Sequence, residues 1–263
     1  QALRSASMKQ IAFGPEDSAD SLRVVDAPVP VPGEGEVLIE VEYAGVNRPD
    51  LLQRSGKYAP PPGASPVLGL EVSGRIAALG PGSDPWRVGE AVCALTPGGG
   101  YAEFCKAPGG HVLPLPAGMA PKQAAGMPET WFTVWANLVD LGRLSPGERV
   151  LVHGGSSGIG LAAIDLARLR GAQCIVTVGD EEKARFCQVF GAHATIDYRK
   201  EDFVARVQEL TAGEGVDVVL DMVGGDYIPR NLSVLRRDGR LVLIALQRGA
   251  RAEIDFNVVM RNR

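Results

Sequence analysis

The sequence predicts a two-domain α/β protein, with an irregular, mainly β domain over residues 8–129 and a doubly wound parallel-sheet domain over 130–263. Three observations predict it. Of the 19 prolines, 17 fall in residues 1–128, and proline is incompatible with helix interiors and central strands. Short alternating stretches in that half, Glu36-Val-Leu-Ile-Glu-Val-Glu-Tyr43 and Glu71-Val-Ser-Gly-Arg-Ile-Ala77, carry the period of half-buried strands. From Glu148 onward, apolar β-branched runs alternate with helical stretches of about a dozen residues, the rhythm of parallel β-α units.

Residues 1–7, ahead of Met8, hold neither an apolar core nor a positive run, so they are not a secretory signal. They read as a non-native extension, with Met8 the native start. In the second domain, strands are expected at residues 149–153, 173–178, 194–197, 216–220 and 240–245, with helices between. Val216-Asp-Val-Val-Leu220 is the near-continuous apolar run of a strand covered on both faces.

Composition narrows the function classes. Hydrophobic residues make up 45% and charged residues 22%, values of a folded globular chain. The net charge of -4 provides no basic field for a polyanion, which makes nucleic acid an unexpected partner. The longest apolar run, Leu241 to Leu246, is far short of the roughly 18 residues that span a bilayer. Cys93, Cys105, Cys174 and Cys187 form neither a metal knuckle nor a dense disulfide framework, which fits a reducing cytoplasm. His111, His153 and His193 are too far apart in sequence for a local metal-ligand pair.

The strongest chemical signal is the turn His153-Gly-Gly-Ser-Ser-Gly-Ile-Gly160 between the first strand of the second domain and the helical stretch Leu161 to Arg168. Glycine there lets the backbone approach a pyrophosphate, whose charge is stabilised by unpaired N–H groups at a helix N-terminus. Gly155, Ser156, Ser157, Gly158, Ile159 and Gly160 are the expected cofactor-binding residues. Two other enzymes are compatible with the same turn. Gly154-Gly-Ser-Ser-Gly158 satisfies the GxSxG elbow of hydrolases, with Ser156 as nucleophile, but the only later histidine is His193, entering a strand. A short-chain dehydrogenase would need Lys four residues after a tyrosine, and none of the five tyrosines has it.

The motifs Gly45-Val-Asn-Arg-Pro-Asp-Leu-Leu-Gln-Arg-Ser-Gly-Lys-Tyr58, Gly69-Leu-Glu-Val-Ser-Gly74, Pro97-Gly-Gly-Gly-Tyr-Ala-Glu-Phe104, Pro128-Glu-Thr-Trp-Phe-Thr133 and Asp221-Met-Val-Gly-Gly225 follow one another in order. Together they resemble the zeta-crystallin-like, zinc-free quinone oxidoreductases of the medium-chain dehydrogenase/reductase superfamily. The resemblance implies a GroES-like catalytic domain followed by a Rossmann domain, and runs from Met8 to the last residue. Zinc-dependent alcohol dehydrogenases carry a cysteine where this chain has Asn47, and a GHE where it has Gly69-Leu70-Glu71. Asn and Leu are not zinc ligands, so no zinc is expected.

What the resemblance implies is hydride transfer from NADPH to a quinone or another electron-poor carbonyl. Asn47 and Tyr58 would lie beside the nicotinamide and acceptor, where an amide and a phenol can hydrogen-bond a carbonyl. Thr133, at the opening of a helix after Pro128-Glu129, would contact the nicotinamide. Glu71 is as readily structural as catalytic and is given no role. Gly179, Lys183 and Tyr198 resemble the residues that receive the 2′-phosphate of NADPH. Asp180, 20 residues after Gly160, stands where an acid binds the free ribose hydroxyls of NADH, which keeps NADH open as the cofactor. The family continues past residue 263 with a last strand and a returning segment, so the sequence is expected to be C-terminally shortened, and the full-length protein to be a homodimer. Two alternatives remain: an enone or alkenal (enoyl) reductase, and an NADPH-binding protein with little turnover.

Overall fold

The computed structural model describes residues 6–14 and 19–263. Residues 1–5 of the expected non-native extension lie outside the described residues, and Ser7 already opens the first strand. The chain divides into two compact units, Gln1–Glu129 and Thr130–Arg263.

In the first unit, β1 (Ser7–Ala12) and β2 (Arg23–Pro28) form an antiparallel pair. Five further strands are β3 (Glu36–Ala44), β4 (Glu71–Leu79), β5 (Ala91–Leu95), β6 (Phe104–Pro108) and β7 (Val112–Pro114), making an antiparallel sheet in the order β6-β3-β4-β5-β7. The two alternating stretches of the sequence are β3 and β4. Their period of two puts Val37, Ile39, Val72 and Ile76 into one apolar cluster with Val92, Ala94, Cys105 and Ala107. Leu38 points the other way, to Met8 and Val29. Its α-helices are α1 (Arg48–Arg54) and α2 (Pro121–Ala124), and α3 (Pro128–Val134) begins at its end and runs on into the second unit.

In the second unit, α3 continues into π-helical turns over Trp135–Leu141. The parallel sheet that follows contains β8 (Arg149–His153), β9 (Gln173–Val178), β10 (Ala194–Asp197), β11 (Val216–Asp221) and β12 (Leu235–Leu243), in the order β10-β9-β8-β11-β12. The helices are α4 (Gly158–Leu169), α5 (Glu181–Phe190), α6 (Phe203–Leu210), α7 (Tyr227–Val234) and α8 (Phe256–Asn262). Strand order reverses at β8, the place in doubly wound sheets where ligands bind beyond the strand C-termini. The apolar runs divide cleanly between two cores. Val150, Val152, Val176, Val218 and Leu220 pack with Ala163, Ile164 and Ala167 of α4. Leu151, Ile175, Ile196 and Val219 pack with Phe203, Val207, Tyr227 and Val234. Fully burying an Ile or Leu side chain stabilises by about 1.5–3 kcal/mol, and Ile164 and Leu166 anchor α4 in this way.

Two expectations need correction. The last strand is not residues 240–245: Leu235 already pairs with Val216, the register then shifts, and pairing resumes at Arg240 with Val218. The intervening residues turn through Asp238 at φ +61°, and the strand ends at Leu243, although the Ile244 N–H still bonds Asp221 O at 2.9 Å. Thr133 does not open its helix. Pro128 does, its missing N–H being harmless in a first turn, which leaves Thr133 one residue from the end of α3.

Candidate active site and cofactor cradle

In the first unit, a network of polar side chains gathers around the start of α1. Asn47 is extended at φ -127° and ψ 159° and precedes the helix. Asp50, one turn on, turns its carboxylate back so that Oδ2 accepts the Asn47 N–H at 2.8 Å. The same carboxylate accepts the Gly69 N–H at 3.0 Å and the Tyr101 hydroxyl at 2.9 Å. At 2% exposed, Asp50 is a buried carboxyl group with three donors, two directed at Oδ2 and one at Oδ1. Burial and this neighbouring carboxylate push the Tyr101 phenol far above its usual range.

Glu71, the first residue of β4, is equally buried at 2% exposed. Its Oε1 accepts from Asn47 Nδ2 at 2.8 Å, and its Oε2 accepts the Glu129 backbone N–H at 2.9 Å. Burial raises the Glu71 carboxyl, against the hydrogen bonds that lower it. Glu129 is driven up to about 7 by its own burial, then by Glu71 and Asp50, so its carboxyl is poised between its two protonation states near neutral pH. Tyr58 stands apart. It lies in the bend after α1, 38% exposed, and hydrogen-bonds none of the described residues.

In the second unit, β8 feeds the glycine turn. Gly154 takes φ +76°, a conformation that disfavours a side chain. Gly155 lies so close to β9 that a Cβ there would sit 2.4 Å from Val176 Cβ, while a Cβ on Gly160 would meet Gly155 O at 2.3 Å. Ser157 caps α4, its Oγ accepting the Gly160 N–H at 3.0 Å and donating to Gly154 O at 2.7 Å. Ser156 and Ile159 are partly buried and Gly158 is exposed at the first position of the helix. This is the tight strand-to-helix passage a pyrophosphate needs.

The ends of β9 and β10 bring the remaining predicted residues together. A Cβ on Gly179 would lie 2.9 Å from the Tyr198 hydroxyl and 3.6 Å from Arg199 Nε. Asp180 caps α5, accepting the Lys183 N–H at 2.8 Å, and Lys183 Nζ stands 3.5 Å from its other oxygen. That hydrogen bond, reinforced by the Lys183 charge, holds the exposed Asp180 carboxyl below its usual range. Thr133 accepts on its backbone oxygen from Asn137 Nδ2 at 2.8 Å.

Several residues in these networks had no role assigned from sequence. Besides Asp50, Glu71, Tyr101 and Glu129, His153 is fully buried, with Nδ1 3.0 Å from Thr177 Oγ1 and Nε2 2.7 Å from Asn231 Oδ1. Burial lowers its pKa. Asn231 donates in turn to Asp221 at 3.0 Å, and Asp221 accepts the Val223 and Gly224 N–H groups at 2.8 and 3.1 Å. The network thus braces the residue before the glycine turn against the Asp221-Met-Val-Gly-Gly225 motif.

The alcohol dehydrogenase GroES-like domain family matches residues 33–117, and the zinc-binding dehydrogenase family matches residues 158–263. Human quinone oxidoreductase is 33% identical over 233 residues, covering 88% of this chain and 70% of the human protein. The chain belongs to the medium-chain dehydrogenase/reductase superfamily. A phenolphthiocerol/phthiocerol polyketide synthase subunit of Mycobacterium tuberculosis is 36% identical over 85% of the chain, a region that spans 10% of that subunit. Among solved structures, Escherichia coli quinone oxidoreductase complexed with NADPH is 30% identical with a TM-score of 0.80, covering 98% of this chain and 78% of that one. The CurK enoyl reductase is 32% identical with a TM-score of 0.84, covering 97% and 78%.

The donor atoms present do not fit the zinc implied by the second family's description. Asn47 turns an N–H, not a lone pair, toward Glu71, Leu70 has no donor atom, and the four cysteines are buried and unbridged. Among the described residues, no group of three or more His, Cys, Asp or Glu is arranged to hold a metal ion. No helix among them is long and apolar enough to cross a membrane.

Proposed function

We propose that the protein is a zinc-independent oxidoreductase that transfers a hydride from NADPH to a quinone or similar electron-poor carbonyl. The observation that carries the reading is the cluster beyond β9 and β10, where the Tyr198 phenol covers Gly179 and Lys183 and Arg199 flank Asp180. Two cations and a phenol suit a ribose 2′-phosphate, and Asp180, whose charge is already shared with Lys183, repels it less than an unpaired acid would. The similarity to the NADPH-complexed E. coli enzyme supports the same cofactor.

When bound, NADPH supplies the hydride. The glycine turn and the start of α4 hold the pyrophosphate through backbone N–H groups. Asn47 and Tyr58 hydrogen-bond the acceptor: an N–H and a phenolic O–H stabilise charge that builds on a carbonyl oxygen as hydride arrives. The hydroquinone oxygen then takes its proton from the phenol or from water. A quinone is electron-poor enough to need no Lewis acid, which accords with the donor set around Asn47. The reading includes a cytoplasmic homodimer: the unbridged thiols suit a reducing compartment, and the resemblance implies the dimer.

The coenzyme assignment is tested by Lys183→Ala. The variant is expected to lose about tenfold in kcat/KM for NADPH, the equivalent of one charge-assisted contact, and less than about threefold for NADH. Equal losses for both would remove Lys183 from 2′-phosphate recognition. A second reading, enone reduction, is favoured by the similarity to the CurK enoyl reductase. Faster turnover of an α,β-unsaturated ketone than of a small para-quinone would select it.

A further inference from the structure

Glu71 is a carboxylate in a position with almost no access to water, and its two oxygens have different partners. Oε2 accepts a backbone N–H, that of Glu129, at 2.9 Å. That donor is fixed by α3 and has no alternative orientation. Oε1 accepts from the Asn47 side chain at 2.8 Å. Gly45 makes the geometry possible, because a Cβ there would lie 1.9 Å from this same oxygen. Asn47 is also held by its backbone, whose N–H goes to Asp50 at 2.8 Å.

A primary amide presents two N–H donors on one side and a carbonyl oxygen on the other, and it can turn over to exchange them. An ionised carboxylate accepts only, so it admits Asn47 in one of the two orientations. The nitrogen must face Glu71, one N–H is consumed there, and Oδ1 with the second N–H is left for a ligand. We infer that Glu71 is the positioning residue for Asn47, selecting the orientation of its amide and so which hydrogen-bonding atoms it offers to cofactor and acceptor. The inference deepens the reading of Asn47 given above and rests on it for its catalytic consequence.

Glu71→Gln makes the discriminating variant. The Glu129 N–H draws the new amide oxygen, the Gln nitrogen then faces Asn47, and Asn47 must turn Oδ1 toward it. The substitution changes no volume and inverts the amide. Asn47→Ala, Glu71→Gln and the double variant are compared for NADPH oxidation with a small quinone. Displacing a contact at a reacting centre costs on the order of ten- to a hundredfold. Glu71→Gln is therefore expected to lower kcat about tenfold, with KM for NADPH within about threefold of wild type. The double variant should fall within about twofold of Asn47→Ala alone, because a residue acting only through Asn47 has nothing left to position.

A second readout does not need turnover. In ¹⁵N-labelled protein, the Asn47 side-chain NH2 pair is identified by its disappearance in Asn47→Ala. One of its protons should be shifted downfield and protected from solvent exchange in wild type, and lose both properties in Glu71→Gln. Multiplying losses in the double variant, or an NH2 pair unchanged by Glu71→Gln, would overturn the inference. A wild-type protein that fails to oxidise NADPH with any quinone or enone offered would count against the proposed function, and the NH2 pair would still decide the Glu71–Asn47 relation.

Discussion

Gly160→Ala is expected to abolish useful NADPH binding and to destabilise the second unit. The added methyl has nowhere to go: its neighbours would be Gly155 O at 2.3 Å and Gly154 O at 2.5 Å. Both are backbone atoms of the turn itself, and no side-chain rotation relieves them. Gly155 cannot retreat, because it lies against Val176 of β9 and its N–H bonds Thr177 O at 2.8 Å. The helix must therefore lift from the strand. Overpacking of this kind costs about 1–3 kcal/mol, and lifting the first turn of α4 also withdraws the N–H groups that a pyrophosphate uses. A Kd for NADPH at least about a hundredfold weaker, equal to about 2.7 kcal/mol, is expected in a fluorescence titration, with a lower urea midpoint. A Kd within about threefold of wild type would mean that the turn does not carry the cofactor.

Asp50→Ala is expected to be the most destabilising substitution in the first unit. It removes the acceptor for the Asn47 N–H, the Gly69 N–H and the Tyr101 hydroxyl at once. Only the phenol has a second acceptor, Gly45 O at 3.3 Å. One buried backbone donor, the Gly69 N–H, and one partly buried donor, the Asn47 N–H, lose their acceptor, at about 1–3 kcal/mol each, and a total of about 3–5 kcal/mol is expected. Asp50→Asn retains one acceptor oxygen and should fall between that variant and wild type. Chemical denaturation followed by tryptophan fluorescence measures both. A loss below about 1 kcal/mol for Asp50→Ala would show that water replaces the carboxylate.

The fold was legible where one short stretch of chain carries the physical cause. Val216 to Leu220 reads as a doubly covered strand because its residues alternate between the two cores, with Val218 and Leu220 on one face and Val219 on the other. Gly155 and Gly160 were legible for the same reason, since turn, strand and helix lie within about a dozen residues. Gly179, Asp180, Lys183 and Tyr198 lie close to one another at the ends of β9 and β10.

The polar networks of the first unit are less legible because their bonds join distant residues. Glu71 lies 24 residues from Asn47, and Tyr101 lies 51 from Asp50, so no local period or spacing reveals either pair. The signal that was present is a carboxylate opening a strand whose first four residues are buried, a place tolerated only when both oxygens find donors. His153 and Asn231, 78 residues apart, escaped notice similarly. The onset of β12 was missed because Arg236 to Gly239 interrupts its pattern with a turn.

Hydride transfer without a metal is tested by NADPH oxidation, followed at its near-ultraviolet absorbance, with a small para-quinone and a strong chelator present. Stoichiometric formation of NADP+ and hydroquinone is expected at a rate unchanged by the chelator, with a much lower rate in Asn47→Ala. Chelator-sensitive oxidation restored by zinc would contradict it, because neither the amide at position 47 nor the leucine at position 70 could account for a bound metal.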